Sequence, residues 1–192
     1  MKINETVFRG RPKQPRTPVE EAIYDKLDEL NINFLRVDHE HADTMADCRE
    51  VERVLGTKIC KNLLLTNRQK TRYYLLMLPG DKVFKTKDLS AQLGVARLSF
   101  AGPEDMERLL HTTPGSVSAL ELLFDTEHQV TLVVDKELAE DNWISGHPGI
   151  STSTLRLFRE DMMVYLYSVG HSPVYVDLPR EEENPADQEA AD

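Results

Sequence analysis

Two apolar runs that lie close together constrain the fold of this chain more than any other feature. CKNLLLTN (60–67) and RYYLLMLPG (72–80) are separated by only a few polar residues. Apolar runs of strand length on either side of a short polar connection predict a β-hairpin. The chain must therefore fold around a sheet that buries at least part of this hairpin.

Lys61 stands at the start of the first apolar run, directly before Leu63, Leu64 and Leu65. Burying an ammonium group without a partner is costly. Two interpretations remain open from the residues alone: Lys61 lies at a solvated strand end, or it faces a binding site.

The remaining pattern mixes isolated helices with strands. TPVE (17–20) is a capping box with proline at the first helical position, followed by apolar residues at helical spacing. Helices are predicted at 18–30, 44–56, 86–94, 103–111 and 159–170, with a shorter one in ALELLF (119–124). Further strands are predicted at 34–40, 96–102, 129–135 and 174–178. Because there is neither βαβ alternation nor an internal repeat, an α+β domain is the predicted fold class.

Charge and composition divide the chain into three parts. Residues 1–16 contain FRGRPKQPR, which predicts an irregular basic arm because its prolines discourage regular structure. Residues 17–179 form the predicted domain. The tail at 180–192 has six acidic residues and one arginine, which is half of the total charge of -10, and should be disordered. The overall acidity argues against a protein that grips long nucleic acid through phosphates.

The cellular setting also follows from composition. No apolar run approaches the roughly 20 residues that span a bilayer, and the first residues lack the apolar stretch of a signal peptide. A cytoplasmic protein without membrane contact is expected. Cys48 and Cys60 form neither a disulfide framework nor a metal-ligand pattern, so reduced thiols are expected.

Two polar loops carry residue types that packing does not require. In TTPGSVS (112–118), a Pro-Gly turn precedes a short helix, an arrangement that can cradle an anion or oxyanion, although such turns are more often structural. In SGHPGISTST (145–154), His147 is followed by several hydroxyl side chains. A lone histidine is more often a hydrogen-bonded structural residue.

The common signatures of well-marked chemistries are missing from the sequence. There is no Ser-His-Asp order, HExxH, CxxC pair, Walker loop or GxGxxG. His39 and His41 have no further residue at metal-ligand spacing, so they are predicted to be surface histidines, and no metal or cofactor is expected. From the residues alone, the prediction is thus a soluble α+β domain with a candidate polar pocket.

Three segments together add a family resemblance. CKNLLLT, TTPGSVSALELLFD and GHPGISTST, in this order and spacing, resemble the YbaK family of aminoacyl-tRNA deacylases, which also occurs as the editing insertion of bacterial prolyl-tRNA synthetases. The resemblance runs from about residue 17 to residue 179 and is greatest to the free-standing ProX-type members. It implies a mixed, largely antiparallel sheet that is curled into a barrel-like shape and surrounded by helices.

The resemblance also assigns positions to the site. The family's lysine maps onto Lys61, which would point from a strand into the mouth of the pocket. The implied catalytic residues are Lys61, Gly115, Ser116 and His147. The implied substrate-binding residues are Asn62, Val117, Ser118, Pro148, Ser151 and Thr152. Two positions depart from the family pattern. Ala119 stands where the family usually has a proline, and the absence of that proline loosens the loop. Ser151 stands where an asparagine is common, and its polar group is shorter.

The implied reaction is hydrolysis of the ester between an amino acid and the 3′ end of mischarged tRNA(Pro). Backbone N–H groups near Gly115 and Ser116 would stabilise the oxyanion, Lys61 would hold phosphate or ester oxygens, and His147 would orient the substrate amine or the water. The substrate's neighbouring ribose hydroxyl would activate the water, so no enzyme nucleophile is needed. Alanine is the first expected amino acid.

Two alternatives stay open beside the alanine-specific enzyme. One is an enzyme of the same fold that acts on cysteinyl-tRNA(Pro). The other is a non-catalytic module that binds charged tRNA or a synthetase, which the change at Ala119 makes conceivable. The expected partners are mischarged tRNA and prolyl-tRNA synthetase.

Overall fold

The computed structural model describes residues 1–42 and 45–180. Its helices are α1 Pro18–Glu29, α2 Met45–Leu55, α3 Thr86–Leu93, α4 Pro103–Leu110, α5 Lys136–Glu140 and α6 Arg159–Ser168, with a 3-10 helix at Ala119–Phe124. Its strands are β1 Phe8–Arg9, β2 Phe34–Asp38, β3 Cys60–Thr66, β4 Tyr73–Pro79, β5 Ser99–Phe100, β6 Val130–Asp135, β7 Trp143–Gly146, β8 Ser153–Phe158 and β9 Val174–Val176. No helix in these residues is long and apolar enough to span a bilayer.

The strands form two sheets. One has the order β1-β2-β8-β7 and is antiparallel throughout. The other has the order β5-β3-β4-β6-β9, in which β6 runs parallel to both β4 and β9. The mixed, largely antiparallel α+β fold is confirmed. The barrel-like shape is not confirmed, because the described strands make two separate open sheets.

The predicted hairpin forms the centre of the five-stranded sheet. β3 and β4 pair antiparallel, with Lys61 opposite Leu78 and Leu64 opposite Leu75. Every residue of β4 is buried, because β3 and β6 flank it and helices cover the sheet. A strand buried on both faces reads as a continuous apolar run, which is the pattern that YYLLML shows.

Helix α1 begins as the sequence predicts. Thr17 accepts a hydrogen bond from the backbone N–H of Glu20, and the Glu20 carboxylate accepts one from the N–H of Thr17. Pro18 takes the first helical position, where no donor is needed. Ile23 and Leu27 are fully buried in the main core. The threonine at position 44, predicted to cap the next helix, lies outside the described residues, as does the predicted acidic tail beyond Arg180.

Strands β7 and β8 take up the two ends of the predicted loop 145–154 and leave 147–152 as the loop between them. They pair antiparallel and enclose only a short connection that includes His147. The alternation of apolar and polar residues was not apparent in the sequence, because the hydroxyl residues Ser145, Ser153 and Thr154 occupy buried strand positions. A β-strand whose inward side chains are hydroxyls lacks the apolar period that identifies strands in a sequence.

The N-terminal segment is attached to the four-stranded sheet. β1 pairs with β2, and the amide of Asn4 donates to the carbonyl of Asp38. Two of its basic side chains are ion-paired within the protein: Arg16 pairs with Asp38, and Arg11 pairs with three carboxylates of α1, namely Glu21, Asp25 and Asp28. These two arginines are therefore bound to acidic residues rather than presented to phosphate.

The Ser145 hydroxyl joins the two sheets. Its Oγ accepts a hydrogen bond from the backbone N–H of Cys60 at 2.9 Å and donates one to the carbonyl of Lys58 at 3.0 Å. Cys60 starts β3, and Ser145 lies two residues before His147. The contact thus brings the start of the hairpin next to the β7–β8 connection.

Candidate functional site

The three segments singled out in the sequence meet at one cavity. The cavity has a volume of about 300 Å³, and Lys61, Asn62, Gly115, Val117 and His147 all line it. These residues come from β3, from the turn before the 3-10 helix, and from the connection after β7. The predicted juxtaposition of a lysine with two distant loops is thus present in the fold.

Lys61 is neither buried without a partner nor free in solvent. Its Nζ donates to the backbone carbonyl of Lys82 at 3.1 Å. That carbonyl is well fixed, because the Lys82 ammonium is buried and bound by Asp135 at 2.9 Å and Glu137 at 2.7 Å. An ammonium has three N–H donors, so two of those on Lys61 have no acceptor among the described residues. Besides this cavity, Lys61 lines a neighbouring pocket with Gly80 and Asp81.

Asn62 presents an unused acceptor. Its Nδ2 donates to the carbonyl of Cys60 at 3.4 Å, whereas its Oδ1 is buried and has no hydrogen-bond partner among the described residues. Buried polar atoms are normally paired, so an unpaired one next to a cavity indicates a place for a donor of a bound molecule.

The turn at 113–117 offers backbone donors to the cavity. Gly115 has φ +87°, a conformation that glycine adopts without strain. The amide of Ser116 closes the turn by donating to the carbonyl of Thr113 at 3.1 Å. The amides of Gly115 and Val117 have no acceptor within the described part of the chain. Gly115 and Val117 line the cavity and their amides are unbonded among the described residues, whereas the predicted Ser116 N–H is already bonded.

Ser116 and Ser118 lie outside the cavity lining and are buried. Ser118 caps the 3-10 helix: its hydroxyl accepts from the amide of Leu120, and its own amide donates to Glu121. Burial raises the pKa of the Glu121 carboxyl well above its usual range. This cap holds the turn in place, so the hydroxyl of Ser118 has a structural role in the site. Its contact with substrate stays a prediction.

His147 is held by β8. Its Nδ1 lies 2.8 Å from the carbonyl oxygen of Ser153 and 3.5 Å from Thr154 Oγ1. A carbonyl can only accept, so Nδ1 carries the proton. Burial lowers the pKa of His147, which favours the neutral ring. In the neutral ring Nε2 is then an acceptor.

His39 is buried, so the prediction of a surface histidine is wrong for this residue. Its Nδ1 contacts the carbonyl of Glu40 at 2.7 Å, and its Nε2 contacts the Thr154 hydroxyl at 2.8 Å. Burial also lowers the pKa of His39. Since Nδ1 must donate to a carbonyl, Nε2 accepts the Thr154 proton, and the Thr154 oxygen can face the Nδ1–H of His147 as an acceptor.

Three other predicted binding residues surround the site without lining the cavity. Pro148 is buried. Ser151 Oγ lies 2.5 Å from His41 Nδ1, and the carbonyl of Thr152 accepts from the backbone N–H of His39. Contact of these three residues with substrate stays a prediction; Ser151 and Thr152 are bonded to histidines within the protein.

Several lining residues were missed by the sequence analysis. Phe100 and Met106 contribute apolar surface, and Cys48 and Cys60 contribute thiols. Burial raises the pKa of Cys60 to about 12 and that of Cys48 above its usual value, so both thiols stay protonated. A single exposed phenylalanine or a core methionine carries no sequence signal for a site. These residues could be found only by placing them in space.

The chain is similar in sequence to proteins named for tRNA editing. The sequence profile of the aminoacyl-tRNA editing domain matches residues 39–164. Prolyl-tRNA editing protein ProX of Acetoanaerobium sticklandii is 28% identical over 158 residues, which cover 82% of this chain and 96% of that protein. Prolyl-tRNA synthetase associated domain-containing protein 1 of Danio rerio is 29% identical over 154 residues, with 79% and 83% covered.

A solved structure has the same fold. The crystal structure of a proposed trans-editing enzyme for prolyl tRNA synthetase superposes with a TM-score of 0.64 at 16% identity, and the match covers 88% of this chain and 100% of that one. The matched profile spans well over half of the chain and includes Lys61, Gly115 and His147. The chain belongs to the aminoacyl-tRNA editing domain family.

Proposed function

We propose that the protein is a trans-editing deacylase that hydrolyses the ester of mischarged tRNA(Pro), with alanyl-tRNA(Pro) as the preferred substrate. The observation that carries this proposal is the single cavity shared by Lys61, Gly115 and His147. The relatives named for prolyl-tRNA editing and for association with prolyl-tRNA synthetase support the choice of tRNA and of a synthetase as partner. Such a role places the protein in the cytoplasm.

Water is the nucleophile in this proposal. The two thiols at the cavity are held protonated by their raised pKa values, so neither Cys48 nor Cys60 supplies a thiolate. Hydrolysis then needs a positioned ester carbonyl, a stabilised oxyanion and a water aligned for attack.

The turn supplies the oxyanion donors. The unpaired N–H groups of Gly115 and Val117 belong to a turn that the Ser118 cap fixes in advance. Preorganised donors of this kind contribute about 10²–10³ in rate each. We assign the developing negative charge of the tetrahedral intermediate to these two amides, which shifts the role first given to Ser116 by one residue.

Lys61, Asn62 and His147 orient the rest of the substrate. The two remaining N–H donors of Lys61 face phosphate or ester oxygens near the mouth. The unpaired Oδ1 of Asn62 and the Nε2 of His147 are acceptors for donor groups of the substrate end, such as the amino group, the ribose hydroxyl or the attacking water. The site thus offers a cation and neutral acceptors to the substrate end.

Selection of the amino acid rests on volume. A cavity of about 300 Å³ is at the lower end of the usual range for ligand pockets. Its apolar lining includes Leu63, Met106 and Val117. One methylene is worth only about 1–3 kcal/mol in such a pocket, so alanine and the similarly small cysteine enter more easily than proline.

The test is to incubate the protein with alanyl-, cysteinyl- and prolyl-tRNA(Pro) and to follow the loss of each ester. We expect rapid loss of alanine, slower or equal loss of cysteine, and intact prolyl-tRNA. Lys61→Ala should reduce the rate at least about 10²-fold. Lys26→Ala, which removes the same charge from an exposed ion pair on α1, serves as the control. Binding of charged tRNA without ester loss would instead identify a non-catalytic module.

A further inference from the structure

An exposed aromatic side chain stands at the edge of the cavity. Phe100 is 59% exposed and lines the same cavity as Lys61 and His147. Other large apolar side chains are exposed, among them Phe158 at 49% and Tyr175 at 46%, but of this exposed group within the described residues only Phe100 lines the cavity. Its position therefore joins the site to the outer surface.

The backbone and one neighbour hold Phe100 in place. It lies on the short edge strand β5, opposite Leu65 of β3. The ring of Phe84 packs edge-on against it, with centroids 6.0 Å apart and planes at 74°. A contact of this geometry fixes the ring plane. More than half of the side chain stays accessible, so the ring presents an apolar face to the surface.

The chemistry of the substrate fits an apolar ring face at this place. If the proposed function holds, the amino acid occupies the cavity and its ester is carried by the ribose of the terminal adenosine. Phe100 is the exposed apolar side chain of the lining, so it offers the base a place at the outer surface, one ribose away from the ester. An exposed aromatic ring at the rim offers a base the stacking surface that single-stranded nucleic acids use on proteins.

We propose that Phe100 forms a stacking subsite for the adenine base of the terminal nucleotide. The inference rests on the proposed function and adds a contact that recognises the nucleotide rather than the amino acid. Stacking on Phe100 places the ribose between the ring and the turn at Gly115. The ester carbonyl then enters the cavity with the ribose oxygens near Lys61.

The kinetic test compares Phe100→Ala, Phe100→Trp and Phe158→Ala with the unmodified protein on alanyl-tRNA(Pro). Loss of a stacked base should raise KM about 5- to 150-fold and leave kcat within a few-fold, because binding is lost equally in ground and transition states. Phe100→Trp should keep the original KM. Phe158→Ala removes an equally exposed ring elsewhere and should change nothing. Thermal melting checks that each variant is folded.

A binding test is independent of deacylation. Trp143 is the only tryptophan of the chain, so Phe100→Trp combined with Trp143→Phe places one fluorophore at the proposed subsite. AMP should quench this fluorescence saturably and more strongly than UMP, since purines stack better. Quenching in a protein that releases no amino acid would support the adenine subsite and contradict the proposed function.

The following results would overturn the proposed subsite. Active enzyme with an unchanged KM in Phe100→Ala, or fluorescence indifferent to AMP, overturns the subsite and leaves the deacylase standing. A KM effect in Phe158→Ala instead of Phe100→Ala places the base on the surface near β7 and β8, and also overturns the proposal.

Discussion

Ser145 Oγ lies 2.9 Å from the backbone nitrogen of Cys60, which makes one hydroxyl the polar link between the two sheets. The next residue after Cys60 is Lys61, and His147 follows Ser145 by two residues. The spacing of the cation and the imidazole across the cavity therefore depends on a serine that does not line it.

Replacing this serine should damage both stability and activity. Ser145→Ala leaves the buried amide of Cys60 without its acceptor and removes the donor to the carbonyl of Lys58. An unsatisfied buried group costs about 1–3 kcal/mol, so urea denaturation should show a loss of that size. Deacylation should fall as well, because the two sides of the cavity are no longer tied.

Ser168→Ala is the matched control for this variant. Its hydroxyl donates only to the carbonyl of Tyr165 within α6 and is exposed. Stability should change by less than about 0.5 kcal/mol. Equal losses in both variants would show that the link between the sheets has no special importance.

The loss of folding stability at acidic pH should depend in part on the protonation of His147. Burial lowers its pKa, so the folded protein binds this proton less readily than the unfolded chain, in which histidine titrates near about 6.5. As pH falls below that value the unfolded state gains the proton first, and stability decreases with falling pH. His39 and His171 are shifted in the same direction for the same reason.

His147→Asn and His111→Asn separate this effect from other titrations. The asparagine at 147 can still donate to the carbonyl of Ser153 but does not titrate. Melting temperatures between pH 5 and 7.5 should fall less steeply in His147→Asn than in the unmodified protein. His111, exposed at the end of α4 with φ +54°, tolerates asparagine, so His111→Asn is the control for replacing a histidine away from the cavity. A slope unaffected by His147→Asn contradicts the assignment.

Thr154 should act as a positioning residue for His147. Thr154→Val keeps the shape but removes the hydroxyl between His39 Nε2 and His147 Nδ1. We expect the deacylation rate to fall about tenfold, the equivalent of one net hydrogen bond. Thr154→Ser should restore it.

Nitrogen-15 NMR of the His147 ring distinguishes positioning from general damage. The unmodified protein should show a protonated Nδ1 and an unprotonated Nε2, as the Ser153 carbonyl requires. Thr154→Val should increase the Nε2-protonated form, because one of two acceptors for Nδ1–H is lost. Reduced activity with an unchanged tautomer would mean that Thr154 acts only through stability.

Gly115 should be needed for its backbone conformation. No atom lies within 4 Å of a Cβ built on Gly115, so the cost of Gly115→Ala comes from φ +87° and not from a collision. Gly94 has φ +65° and equally open surroundings, but it ends α3 away from the cavity. Both alanine variants should lose about 1–2 kcal/mol of stability. Deacylation should fall about 10²-fold in Gly115→Ala but not in Gly94→Ala. Only at Gly115 would a backbone change that relieves the strain turn N–H donors away from the oxyanion.

The parts of the fold that were predicted correctly share a local cause. The hairpin 60–79 and the helix at α1 follow from apolar periodicity and a capping box, which neighbours in sequence determine. β7 and β8 were missed because their buried hydroxyls are satisfied by partners about 85 to 115 residues away: Ser145 by Cys60 and Thr154 by His39. Periodicity contains no information about such partners.

The candidate site also contains residues that the sequence could indicate and residues that only the folded structure reveals. Lys61 and His147 stood out beside apolar runs and glycines, but the residues alone left their roles open, and the family resemblance assigned them to the site. Ser116 was chosen from its position in the turn, but its amide is used within the turn, which only the folded geometry reveals. Phe100 becomes a candidate only once β5 is seen to lie along β3 at the cavity.

Met106 should limit the size of the accepted amino acid. It belongs to α4, lines the cavity and packs partly against the main core. Met106→Ala enlarges the space beside Val117, and prolyl-tRNA(Pro) should then be hydrolysed, with discrimination between alanine and proline reduced by about 10- to 200-fold. Met163→Ala on α6 also trims a partly buried methionine of the same core but does not touch the cavity, so its specificity should match that of the unmodified protein. The ratio of kcat/KM for the two charged tRNAs measures the effect. An unchanged ratio in Met106→Ala, with alanine release intact, would show that the amino acid side chain does not point toward α4.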